Sequence, residues 1–101
     1  MIKTGGANVS PREVEAAILE VSGLVAHVVG IDDEGRGQIV GALVRAPDGS
    51  VDIDDLRAHL RDRLSAYKVP RRVVAVAPEK VPMMSSGKLD LRAVKELLSE
   101  A

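Results

Sequence analysis

The sequence contains no cysteine, no tryptophan and no phenylalanine, and Tyr67 is its only aromatic residue. The absence of cysteine excludes a disulfide framework, a thiol nucleophile and a zinc ribbon, and it fits a reducing compartment. The near absence of aromatic rings removes the signal of a stacking surface for single-stranded nucleic acid. The core must therefore be built from aliphatic side chains.

Neither charge nor hydropathy is strongly biased. Fourteen basic and 15 acidic residues give a formal net charge of -1, which provides no general attraction to nucleic acid or an anionic membrane. No apolar run reaches transmembrane length, and the first residues lack a signal-peptide pattern. Two histidines, His27 and His59, make a metal site unexpected. We expect a soluble, cytoplasmic protein with no membrane span and no nucleic-acid partner.

A chain of 101 residues, 46% apolar and 29% charged, has the size of one small globular domain. We therefore treat residues 1–101 as a single domain. The clearest local signal starts at Ser10, where a serine N-cap is followed by proline at the first helical position and by Glu13 in a capping box. Apolar residues then recur at helical spacing. The sequence predicts a helix that begins at Pro11 and is ended by Gly23.

Segments rich in valine and isoleucine alternate with turn and helix signals in the rest of the chain. Segments 26–31 and 38–45 flank the turn sequence DDEGRG and predict a β-hairpin, which segment 72–77 is expected to join as a third strand. A second helix is expected over 54–64 and a third from about Asp90. The predicted fold is α+β, a small mixed three-stranded sheet packed with about three helices after a short N-terminal extended loop or ribbon.

Lys88 ends the sequence PMMSSGK, which occupies positions 82–88 just before the third predicted helix. Glycine permits positive φ and serine side chains compete for backbone hydrogen bonds, so the SSG sequence predicts a loop. A lysine there is a compact cation on a flexible stem, suited to an oxygen that gains negative charge. The same residues also suit an ordinary solvated turn, and the GxxxxGK spacing of a phosphate-binding P-loop is absent.

Three segments together resemble one family. They are IKTGGANVSPREVE at positions 2–15, YKVPR at 67–71 and PMMSSGK at 82–88. In this order and separation they resemble the C-terminal domain of the adenylate-forming superfamily, which includes acyl- and aryl-CoA ligases, adenylation domains of peptide synthetases and firefly luciferase. The resemblance spans essentially the whole chain. It implies a mobile lid on a larger N-terminal domain, with the hinge residue upstream of Met1 and the chain a fragment cut near that hinge.

The resemblance implies a separate role for each loop. Lys88, preceded by Gly87, would reach the ATP ribose and the acid carboxylate while acyl-AMP forms and pyrophosphate leaves. The lid would then rotate, withdraw this lysine and present Gly5 and Gly6 beside the pantetheine arm of coenzyme A. Without side chains, these glycines would let backbone approach that arm closely. A simple tight turn before the first helix is an equal alternative for the double glycine.

The middle segment carries one ring and several cations. In relatives the matching segment lies near the nucleotide end of coenzyme A. We hypothesise that Tyr67 contacts the adenine and Arg71 the phosphates, with Lys68 in the same binding cluster. The alternative is a ring that caps the small core, with ordinary solvated cations around it.

The resemblance also implies the cofactors and partners. The intact enzyme would use ATP and coenzyme A, with Mg²⁺ accompanying ATP outside this domain and no metal site within it. Its partners would be its own N-terminal domain and a small carboxylic acid. The isolated chain is expected to be inactive, because the ATP and acid pockets would lie on the other domain.

The chain departs from the family pattern at two positions. Leu91, followed by Arg92, stands where many relatives have an arginine, and Ala7 stands where many have an aromatic residue. Two alternatives stay open: the lid of an adenylation domain or fatty acyl-AMP ligase that loads a carrier protein, and a non-catalytic binding or regulatory module. The identity of the acid, the oligomeric state and acetylation of Lys88 are not fixed by these residues.

Overall fold

The computed structural model describes residues 1–35 and 37–100. Within these residues it contains five strands, three α-helices and two short 3₁₀ turns, Ala66–Lys68 and Pro78–Lys80. The predicted α+β class is confirmed. In chain order the main elements are β1 (Ile2–Thr4), β2 (Ala7–Val9), α1 (Pro11–Ser22), β3 (Ala26–Asp33), β4 (Gly37–Arg45), α2 (Ile53–Arg61), β5 (Arg72–Val76) and α3 (Leu91–Ser99).

The sheet is built around β4. The predicted hairpin pairs β3 with β4 along its whole length, from Ala26↔Val44 to Asp33↔Gly37. On the other edge of β4, β5 runs parallel to its second half and β1 pairs with its first residue, Thr4↔Gly37. The predicted N-terminal ribbon is therefore a hairpin of β1 and β2 that extends the sheet. Because β1 and β5 share one edge of β4, the N-terminal hairpin lies next to the residues that precede β5.

Helices cover both faces of the sheet. Alternate residues of β4 point to opposite sides, so Val40 and Val44 pack in a core beneath α1 and α2, whereas Ile39 and Leu43 pack in a second core beneath α3. On the α3 side, a Cβ added at Gly41 would lie 2.5 Å from the Ile31 side chain and 3.2 Å from Leu98. Glycine at this position therefore lets α3 approach the sheet closely.

The helix ends follow the capping chemistry that the sequence predicts. The Ser10 hydroxyl accepts a hydrogen bond from the Glu13 amide at 3.4 Å, and Gly23 ends α1 with φ of 74°. In the third helix, Asp90 is the N-cap and accepts from the Ala93 amide. The second helix ends at Arg61, three residues earlier than expected, because the Asp62 and Arg63 amides donate three residues back in tighter turns.

Candidate functional site

Lys88 stands at the base of a short hairpin. The Gly87 amide donates to the Met84 carbonyl at 2.9 Å, and the Met84 amide donates to the Lys88 carbonyl at 2.7 Å. Gly87 has φ of 86°, so the SSG sequence forms a three-residue hairpin loop with its last residue in the left-handed region. An isolated bridge pairs Met83 with Leu89. The predicted loop is present, and its backbone is tied into this hairpin.

The side chain of Lys88 is exposed. Among residues 1–35 and 37–100, its ammonium has no hydrogen bond or ion pair. Its neighbours Met83, Met84 and Leu91 are also exposed, although they are large and apolar. The hairpin thus presents a cation without a described partner, with three exposed apolar side chains near it in the sequence.

The double glycine forms the turn between β1 and β2. Gly5 and Gly6 have φ of 57° and 83°, and Thr4 pairs with Ala7 across them. Positive φ at both central residues defines a type I′ turn, which favours glycine strongly. The conformation alone therefore explains both glycines. The space around both glycines is also open. A Cβ added at either would have no heavy atom within 4 Å beyond its chain neighbours.

The turn faces the middle segment across a cavity of about 300 Å³. We call this the hairpin cavity; its lining residues are Thr4, Gly5, Ala7, Ala66, Tyr67 and Arg71. Tyr67 is 49% exposed and lines this cavity. The structure thus brings together Gly5, Tyr67 and Arg71, which the sequence analysis assigned to one ligand from segments more than 60 residues apart.

Lys68 has a protein partner. Its ammonium lies 2.9 Å from Glu13 Oε1 at the start of α1 and 5.7 Å from the centre of the Tyr67 ring. The hydrogen bond to Glu13 raises the pKa of Lys68, with the opposing effect of desolvation smaller. Only 20% of the Lys68 side chain is exposed to solvent. The contact anchors the middle segment to α1, a structural role that the sequence analysis did not assign to this lysine.

A second depression of about 300 Å³ adjoins the hairpin cavity. We call it the arginine groove; its lining residues are Arg57, Arg61, Ala66, Val69, Pro70 and Arg71. Ala66 and Arg71 line both depressions, so the two are neighbours. Three arginines line this one groove, and guanidinium groups are well suited to carboxylates and phosphates.

Sequence reasoning missed Arg57 and Arg61. Both lie on α2, four residues apart, and therefore on one face of that helix. This spacing could have indicated a basic helix face, but the segment that the face contacts depends on the tertiary fold. In the structure that face meets the residues before β5.

The two candidate regions are separate. The Lys88 hairpin leads directly into α3, whose core lies on one face of the sheet. The arginine groove is lined from α2, which packs on the opposite face. No residue of the Lys88 hairpin lines the hairpin cavity or the arginine groove.

Two kinds of feature are absent from the described part of the chain. Within residues 1–35 and 37–100, no group of three or more histidine, cysteine, aspartate or glutamate side chains could hold a metal ion. In the same ranges, no helix has the length and apolar character needed to cross a membrane.

The fold is a small α+β domain that carries two separate loop regions, and comparison with known proteins gives its family. The chain belongs to the AMP-binding enzyme C-terminal domains, whose family model matches residues 13–88. This match includes the middle segment and ends on Lys88. The resemblance inferred from the sequence is thereby confirmed.

Individual relatives support the same family. The chain is 41% identical over 100 residues to a 2-succinylbenzoate–CoA ligase of Geobacillus kaustophilus, covering 97% of this chain and 20% of that protein. Among solved structures it resembles a Mycobacterium tuberculosis fatty acyl CoA synthetase, with a TM-score of 0.78, 34% identity and coverage of 99% of this chain and 20% of the other.

A further neighbour is named for a different activity. The amide bond synthetase McbA from Marinactinospora thermotolerans is 36% identical with a TM-score of 0.77, over 95% of this chain and 19% of its own. The chain spans about one fifth of the length of the 2-succinylbenzoate–CoA ligase and of both solved structures. Family membership therefore fixes the domain type.

Proposed function

We propose that this chain is the C-terminal domain of a cytoplasmic, ATP-dependent acyl- or aryl-CoA ligase, and that its two loop regions serve the two half-reactions. The partners are its own N-terminal domain and a small carboxylic acid. ATP, accompanied by Mg²⁺ on that other domain, supplies the adenylyl group, and coenzyme A supplies the thiol. The observation that carries the proposal is the free cation of Lys88 on a braced hairpin in a domain of this family.

Lys88 serves adenylation. A carboxylate that approaches the α-phosphate brings two negative groups together, and a positioned ammonium offsets the repulsion as charge develops. Because this ammonium has no partner within the described part of the chain, it has no internal ion pair to break on arrival. The hairpin fixes the backbone below the side chain, so that only the flexible stem has to be ordered.

The hairpin cavity and the arginine groove serve thioester formation. Their residues fit coenzyme A in chemical type: Gly5 and Gly6 leave open space for a narrow arm, Tyr67 offers an exposed ring face, and Arg71 a guanidinium. Arg61 adds a second exposed guanidinium in the adjoining groove. These residues would hold and orient the thiol substrate, and their charge matches its phosphates.

Three other functions compete with this proposal. A carrier-protein arm has the same pantetheine chemistry, and an amine acceptor is possible because the amide bond synthetase shares the fold. The arginine groove favours coenzyme A, since several phosphates of one small molecule can occupy such a surface. A binding module without catalysis would use the same loops only as recognition surface.

The decisive experiment separates the two half-reactions in the full-length ligase that carries this chain. Lys88→Ala should lower ATP–pyrophosphate exchange by about 10²-fold or more, while transfer from preformed acyl-AMP to coenzyme A changes far less. Lys95→Ala is the matched control, because Lys95 is an exposed lysine on α3, outside the hairpin; it should leave both steps unchanged. Equal losses in both steps for Lys88→Ala would contradict the role of this lysine. Absence of exchange activity in the unmodified full-length protein would favour the binding module.

A further inference from the structure

Arg57 holds the backbone just before β5. Its Nε donates to the Pro70 carbonyl at 3.1 Å, and its Nη2 donates to the Arg71 carbonyl at 2.6 Å. The side chain is half-buried and reaches from α2 to a segment 13 and 14 residues later in the chain. A guanidinium can serve two acceptors at a fixed angle because its donors are coplanar.

These bonds complete the restraint of Arg71. The Arg71 amide donates to the Val40 carbonyl of β4 at 2.9 Å, so β4 holds the amide while Arg57 holds the carbonyl. Pro70, directly before it, is fully buried and has a fixed φ. The backbone of Arg71 is therefore fixed from both sides, whereas its side chain is exposed and borders both depressions.

We infer that Arg57 is a positioning residue for Arg71, which it orients toward the phosphates of the thiol substrate; the inference rests on the function proposed above. Without the two carbonyl contacts, the Arg71 backbone would keep only its β4 bond and its guanidinium would sample more directions. The thiol substrate would then bind more weakly. Its reactive end would be affected less, because Arg57 does not line the hairpin cavity beside Gly5.

A simpler role for Arg57 is to add positive charge to the groove. The two roles differ in their response to lysine. Lysine keeps the charge but has a single ammonium that cannot reproduce the planar, two-point contact. Arg57→Lys therefore distinguishes orientation from charge, and as a conservative change it also guards against a misfolded Arg57→Ala variant.

The experiment measures KM for coenzyme A and for pantetheine in the full-length ligase. We expect Arg57→Lys and Arg57→Ala to raise KM for coenzyme A by about tenfold each, with little change for pantetheine, which lacks the nucleotide phosphates. Arg63→Ala is the matched control, since Arg63 pairs with Glu20 and lines neither depression. It should leave both KM values unchanged. Thermal melting of each variant checks the fold.

A double substitution tests whether Arg57 acts through Arg71. If it does, Arg57→Lys combined with Arg71→Ala should bind coenzyme A no more weakly than Arg71→Ala alone. Additive losses, or an Arg57→Lys variant with the unmodified KM, would overturn the inference while leaving the phosphate role of Arg71 in place. If Arg71→Ala itself leaves KM unchanged, the proposed thiol site and the inference both fail.

Discussion

The Lys88 hairpin and the hairpin cavity are built in different ways. The hairpin is local: its hydrogen bonds join residues within positions 82–90, and its key side chain belongs to the same sequence run. The cavity is assembled from the N-terminal turn and the segment before β5, which meet only because β1 and β5 share an edge of β4. The local hairpin can move as a unit, whereas the geometry of the cavity depends on the pairing of strands in the sheet.

The left-handed glycines offer the strongest way to test this contrast. Gly87 belongs to the hairpin and Gly6 to the cavity turn, both with positive φ. Valine at either position is strained, at about 1–2 kcal/mol. We expect Gly87→Val to lower ATP–pyrophosphate exchange about tenfold, and Gly6→Val to raise KM for coenzyme A by a similar factor, measured in the full-length ligase.

Gly23 provides the matched control for both. It has φ of 74° at the end of α1 and lines neither the hairpin cavity nor the arginine groove. Gly23→Val should lose similar stability in thermal melting without a selective effect on either half-reaction. If Gly6→Val and Gly87→Val impaired the same step, the separation of the two regions would be wrong.

The same contrast explains how much the sequence could predict. The start of α1 at Ser10 and Pro11, its end at Gly23 and the loop before Lys88 depend on neighbours within a few residues, and the structure contains all of them. Such features follow from capping and turn chemistry.

The assembled features could not be derived in this way. Neither the shared edge of β4 nor the contact of Arg57 with Pro70 leaves a periodic signal, because pairing between distant segments is decided by the whole fold. Lys68 shows the consequence. Its charge next to Tyr67 suggested a ligand contact, whereas its nearest anion is the carboxylate of Glu13, 55 residues away in sequence.

Lys68 gives the next, smaller test. Lys68→Met and Glu13→Gln each break the same ion pair, so each should lower the free energy of unfolding slightly and by a similar amount. Any effect on KM for coenzyme A should be the same for both, since it would come from a loosened segment. Chemical denaturation and steady-state kinetics measure the two quantities. A rise in KM confined to Lys68→Met would instead assign this lysine to direct ligand binding.

The smallest expected effect concerns the scaffold common to both regions. His27 of β3 accepts a hydrogen bond at Nε2 from Arg45 Nε of β4 at 2.9 Å, with Glu15 of α1 also near it. Desolvation and the Arg45 charge lower the pKa of His27 below its ordinary value of 6.5, and Glu15 opposes them only in part. The unfolded chain therefore binds a proton more readily than the folded domain below pH 6.5.

Stability should accordingly be greatest above pH 6.5 and decrease as the pH falls through 6.5 toward the folded-state value. We expect a small fall in Tm from this group, measured by thermal melting across that range. His27→Gln should remove this contribution to the dependence of Tm on pH. Since His27 lines neither the hairpin cavity nor the arginine groove and lies outside the Lys88 hairpin, acid should act through it on both half-reactions alike. If the loss of activity that depends on His27 were confined to one half-reaction, the sheet would be coupled only to the region that serves that half-reaction.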